Sequence, residues 1–123
     1  MERQKRLEML AQNFSDCEKA LAAIGNETRQ SIILALIEGE SACEKGIRVG
    51  EITKKTNLSR PAVSHHLKVL KEANLIGVSR EGTMNFYYLD ILKSDIFNLI
   101  SLFKNIESYI TDFQENCQVE EES

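Results

Sequence analysis

Residues 59–71, Ser-Arg-Pro-Ala-Val-Ser-His-His-Leu-Lys-Val-Leu-Lys, constrain this chain more than any other stretch. Ser59 is suited to cap a helix, its hydroxyl accepting from a free amide of the first turn. Pro61 falls inside that turn, where a missing N–H costs nothing. Val63, Leu67 and Leu70 then recur at i, i+4 and i+7, which is one apolar helix face. At about 100° of rotation per residue, Ser64, His65 and Lys68 fall opposite that face, with Arg60 and Lys71 on its flank. His66 falls at the edge of the apolar face, beside Val63 and Leu70. Such a helix must bury one side and present hydroxyl, imidazole and cationic groups on the other.

Its neighbours narrow the choice. Residues 50–58 read as a short helix ending in a turn, with Val49, Ile52 and Leu58 able to pack on the second helix. Two helices with so short a connection, the second capped and basic outside, form a helix-turn-helix over 49–74. Two β-rich runs follow, 76–80 and 84–89, separated by Glu81-Gly82-Thr83, a hairpin signal that makes 75–90 a wing. The expected fold is mainly α with a small β-hairpin: a winged helix-turn-helix in a single domain over 1–123. The net charge of −4 argues against general nucleic-acid binding, but residues 48–80 hold seven basic and two acidic side chains, a local balance of +5. A basic island in an acidic chain marks a localised phosphate-binding face.

The flanks carry helical stripes. Leu7, Leu10, Phe14, Cys17, Leu21 and Ile24 alternate at spacings of three and four, a long helix over 1–24 facing one partner. Ser15-Asp16-Cys17-Glu18 has capping-box spacing and either restarts that helix or is passed over. Gly25 ends it and Asn26 caps the next, which buries Ile33, Leu36 and Ile37 and stops at Gly39. Residues 40–47, with Cys43, read as a polar loop. After the wing, Asp90 caps a last helix over 91–117, about 40 Å long. Along it Leu92, Ile96, Leu99, Phe103, Ile106, Ile110, Phe113 and Cys117 form a heptad seam. The winged core is too small to cover that seam, so the first helix or a second subunit must.

On the strings Ile24-Gly25-Asn26-Glu27-Thr28-Arg29, Ser59 through Leu67, Arg80-Glu81-Gly82 and Tyr88-Leu89, the chain resembles ArsR/SmtB-type transcriptional repressors over roughly residues 20–90. The resemblance implies a homodimer with terminal helices pairing across a two-fold axis. It also implies a sequence-specific repressor of transcription, released by an effector the sequence does not name or by thiol modification. Two recognition helices so related would read an inverted repeat in double-stranded DNA, with half-sites about 34 Å apart. Ser59, Arg60 and Ser64 would hold phosphates at the helix N-terminus. His65 and Lys68 would reach base edges in the major groove. Lys54, Lys55 and Thr56 would lie along the backbone, and Arg80 at the wing tip would enter the minor groove or bind phosphate.

Other chemistries find little footing. Many relatives carry a Cys-x-Cys metal site where this chain has Arg48-Val49-Gly50-Glu51, and others use His with carboxylates on the last helix, which here offers Asp95 and Glu107 without His. No metal site or cofactor is expected. His65 and His66, neighbours on a helix, diverge too far to share an ion. Cys17 and Cys117 both fall on seam positions; each reads as a small hydrophobe, or the two together as a sensing thiol pair. No Gly-rich phosphate loop and no nucleophile with a base points to an enzyme. A winged helix that binds protein instead of DNA is the alternative, and the basic outer face of 60–72 argues against it. With no apolar run of membrane-spanning length, and no disulfide framework in three scattered cysteines, the expected location is the cytoplasm.

Overall fold

The computed structural model describes residues 2–42, 46–92 and 94–122, with side chains given outside 40–42 and 115–122. The expected helix at its centre is present as α5 (Arg60–Glu72). Ser59 Oγ accepts from the Ala62 amide at 3.2 Å, so the cap works as its sequence implies. Val63, Leu67 and Leu70 are buried, and each is worth about 1.5–3 kcal/mol against leaving it wet. The helix closes in a Schellman arrangement: the Leu75 amide donates to Leu70 O and the Asn74 amide to Lys71 O, each at 3.0 Å. Asn74 takes the left-handed conformation this requires, at φ 57°.

Around α5 stand α1 (Arg3–Asp16), α2 (Glu18–Ile24), α3 (Glu27–Ala42) and α4 (Val49–Thr56). α4 ends at Asn57, again left-handed at φ 58°, and residues 57–59 are the turn into α5. Ile52 of α4, Ile32 and Leu36 of α3, and Ala20 and Ala23 of α2 meet the apolar face of α5 in one core. The first helix does restart, at Cys17 (φ −99°, ψ 8°), but Ser15 makes no capping bond there. The Cys17 amide instead divides between Asn13 O and Phe14 O, both at 3.2 Å, and its carbonyl opens α2. Asn26 caps α3 through the Arg29 amide at 2.9 Å.

Gly39 does not stop α3, which runs on to Ala42. Its lack of a side chain serves packing: a Cβ there would lie 2.2 Å from Ile47 Cγ2. Ile32 takes the buried position expected of Ile37, which is exposed. The expected loop over 40–47 is helical at its start and strand-like at its end, and Cys43 lies outside the described residues. Ile47 exchanges both backbone hydrogen bonds with Tyr87, at 2.9 and 2.8 Å.

The wing is β1 (Ile76–Glu81) paired antiparallel with β2 (Met84–Leu89), Glu81 opposite Met84. Gly82-Thr83 is a two-residue loop. Gly82 has φ 62°, the positive value that the first position of a type II′ hairpin loop requires.

The last helix, α6, spans Asp95–Glu122 and starts later than the sequence suggests. Ser94, not Asp90, supplies the cap, its Oγ accepting from the Ile96 amide at 3.2 Å. Leu92 precedes the helix and is 83% exposed. The heptad seam also splits between two faces. Leu99 and Leu102 are buried against the core with Ile96 and Ile106 beside them, while Phe103 (56% exposed) and Ile110 (51%) turn outward. α1 packs on the far half of α6 within the same chain. Arg6 bonds Asp112 at 2.7 Å and lies 5.5 Å from the Tyr109 and Phe113 ring centroids, and Arg3 Nε donates to Tyr109 Oη at 2.8 Å.

Gly39→Ala tests the close approach. Helix propensity favours alanine by up to about 1 kcal/mol, but overpacking against Ile47 costs about 1–3 kcal/mol. Urea denaturation should show net destabilisation, whereas Gly50→Ala, whose methyl meets open space, should be neutral or slightly stabilising.

Candidate nucleic-acid interface

The buried stripe of α5 dictates what lies opposite it. Ser64, His65 and Lys68 are exposed, as are Arg60 and Lys71 on the flanks. Burying Val63, Leu67 and Leu70 leaves the helix no other way to face. The Ser59 hydroxyl, exposed at the N-terminus, accepts from Ala62 and keeps its own proton free to donate. A duplex approaching this end would therefore meet hydroxyls, a guanidinium and free amides first, then imidazole and ammonium further along.

The residues expected on α4 divide. Lys54 is exposed and has no partner among the described residues. Lys55 is bound to Glu38 of α3 at 3.0 Å, so a phosphate would have to compete for it. Thr56 donates its hydroxyl proton to Ile52 O at 2.6 Å, which leaves its oxygen only as an acceptor. Arg80 is exposed on the wing with Nε on the Gly82 carbonyl at 3.1 Å, holding its guanidinium at the hairpin tip. Sequence reading left Arg48 out of the contact set. It stands at the N-cap of α4 without a capping bond, and shares a cleft with Lys54, Arg60 and the wing. Its place in the basic island was the available signal.

His66 is a strut, not a reader. Arg29 Nε donates to Ala23 O at 2.7 Å, and its Nη1 lies 3.3 Å from His66 Nδ1. Guanidinium only donates, so Nδ1 must accept and the proton sits on Nε2. This chain of contacts ties α5 to the corner between α2 and α3. The His65 and His66 rings meet edge to face, centroids 5.2 Å apart. Among the described residues no group of three or more His, Cys, Asp or Glu side chains comes together. Cys17 is buried in the core; burial pushes its thiol up, and Asp95 and Asp16 add to that. A thiol held neutral is a poor nucleophile, which argues against sensing there. The Cys117 side chain lies outside the described residues.

Burial lowers the His66 pKa from its ordinary 6.5, and Arg29 and then His65 lower it further. The unfolded chain therefore takes this proton first as pH falls. The stability contributed by neutral His66 is complete above 6.5 and is lost as pH falls through the folded value. Urea midpoints measured from pH 7.5 down to 5 should drop for the wild type, and His66→Gln should lack that component of the drop.

Comparison with known proteins agrees with this geometry. Residues 26–78 match the model for bacterial regulatory proteins of the arsR family. An uncharacterized helix-turn-helix-type transcriptional regulator from Methanocaldococcus jannaschii is 33% identical over 78 residues, covering 63% of this chain and 82% of that one. The transcriptional repressor SdpR of Bacillus subtilis is 35% identical over 68 residues, covering 55% and 69%. The structure of reduced HlyU from Vibrio cholerae aligns with TM-score 0.59 at 25% identity, over 76% of this chain and 92% of that one. With its helix-turn-helix and wing in place, the chain belongs to the arsR family and is a DNA-binding transcriptional regulator, not an enzyme.

Proposed function

We propose that the protein is a homodimeric repressor that reads an inverted-repeat operator in double-stranded DNA in the cytoplasm. The observation that carries the reading is the outer face of α5: Ser64, His65 and Lys68 stand exposed, set by the buried stripe behind them. In this reading His65 and Lys68 contact base edges, while Ser59, Arg60, Ser64, Lys54 and Arg80 hold the backbone. Lys55 and Thr56 contribute less, since one is paired and the other has spent its proton. Repression is inferred by likeness to SdpR, named as a repressor.

The dimer rests on the terminal helices. Even with α1 laid on α6, Leu7, Phe14, Phe103 and Ile110 remain about half exposed. A second copy would cover them and would set the two recognition helices about one duplex turn apart. No helix among the described residues is long and apolar enough to cross a membrane.

Sequencing of duplex fragments retained by the purified protein tests the reading, and should return a palindromic site. On that site His65→Ala should lose about 1–3 kcal/mol of discrimination against random DNA, while Lys54→Ala should weaken both equally. Equal loss for His65→Ala would remove it from base reading. Retention of no preferred sequence, with binding to a protein instead, would favour an interaction module.

Phe103→Glu should dissociate the dimer and abolish operator binding while the subunit stays folded, as sedimentation and circular dichroism would report. Ile106→Glu is the poorer probe because Ile106 also packs on the subunit's own core. A folded Phe103→Glu monomer with wild-type operator affinity would rule the dimer requirement out.

A further inference from the structure

Beside the recognition face lies a cleft of about 340 Å³ where three separate elements meet. Arg48, Gly50 and Lys54 of the α4 segment form one wall, Arg60 at the start of α5 another, and Thr83 and Asn85 of the wing tip the third. Glu51 is the one carboxylate on its lining. The side chains of Arg48, Lys54 and Arg60 have no hydrogen-bond or ion-pair partner among the described residues. Three like charges gathered on one cavity repel one another, and the fold offers them little in return. The floor is open: a Cβ on Gly50 would meet no atom within 4 Å.

We propose that this cleft seats a phosphodiester of the DNA backbone, clamping one strand between α4 and the wing. The inference rests on the DNA-binding reading and adds a site to it. Arg48 and Lys54 supply charge from one side and Arg60 from the second. The Thr83 hydroxyl and Asn85 amide supply neutral donors from the third. The clamp reads no sequence, because every phosphate looks alike. It couples the wing to the helix-turn-helix by giving both the same ligand, at the strand that borders the groove read by His65 and Lys68.

The salt dependence of binding provides the test. Neutralising one phosphate contact should make the slope of log affinity against log salt shallower by about 0.9. Arg48→Gln should therefore lose affinity equally on operator and random duplex. Its affinity should fall about threefold less than the wild type's between 50 and 200 mM salt. Asn85→Ala should weaken both duplexes with the slope unchanged. Lys19→Gln, an equal loss of charge on α2, should change neither. Arg48 makes no capping bond, so thermal melting of Arg48→Gln should match the wild type and exclude misfolding. A wild-type slope and affinity for Arg48→Gln would overturn the clamp, and so would an Asn85→Ala variant with undiminished affinity.

A free anion is the other source of the same chemistry. Inorganic phosphate titrated into the DNA-free protein, followed at the Gly50 amide by nitrogen-edited magnetic resonance, distinguishes it. Submillimolar saturation lost in Arg48→Gln, with the DNA slope unchanged, would assign the cleft to free phosphate and overturn the proposal. If no preferred sequence exists, the repressor reading fails, yet the slope on random duplex still decides the clamp.

Discussion

The burial of Val63, Leu67 and Leu70 is the constraint on which the other features depend. These side chains close against Ile32, Leu36 and Ile52, and a rotation of α5 that exposed them would bury Lys68 and His65 instead. Desolvating an ammonium is far costlier than exposing a leucine, so orientation is decided by exclusion. The Ser59 cap and the Asn74 closure then fix where the helix starts and ends. The functional surface is in that sense the residue of a packing problem.

What could be read from the sequence follows from the same logic. α5, its cap, the hairpin and the outward placement of Ser64, His65 and Lys68 are all local patterns, carried by residues within a few positions of one another. The misread features depend on partners far along the chain. Gly39 looks like a stop because glycine often is one; only the approach of Ile47 explains it. The bridge from Ile47 to Tyr87 spans forty positions and leaves no periodic trace. Asp90 and Ser94 are both plausible caps, and the turn before α6 decided between them. The seam of α6 was real as a pattern but merged two faces, since Leu99 is buried while Phe103, the next position of the same stripe, is exposed. At the candidate interface the basic composition was visible, but the pairing of Lys55 with Glu38 and the grouping of Arg48 with the wing required coordinates.

Charge is segregated here for a reason beyond affinity. Outside residues 48–80 the chain is acidic, and a duplex would be repelled from those surfaces. On the proposed reading, this charge distribution would confine polyanion binding to one side and one approach. The α1–α6 pairing belongs to the repelled region and is built from arginines laid over Tyr109 and Phe113. Cation–aromatic contact of this kind is satisfied inside the fold, so those guanidiniums do not advertise a second landing surface.

The bridge at Ile47 also bears on solubility. A projecting two-stranded ribbon offers two unpaired edges, each a template for another chain. In this wing β2 is flanked by β1 on one side, and at Tyr87 its other side is closed by the backbone of Ile47. The edge left open along its whole length belongs to β1, whose strand carries Gly77, Ser79, Arg80 and Glu81. Glycine and opposed charges make a poor surface for strand addition. The protein can thus extend a two-stranded ribbon toward a partner while offering little edge on which sheets could grow between copies of itself.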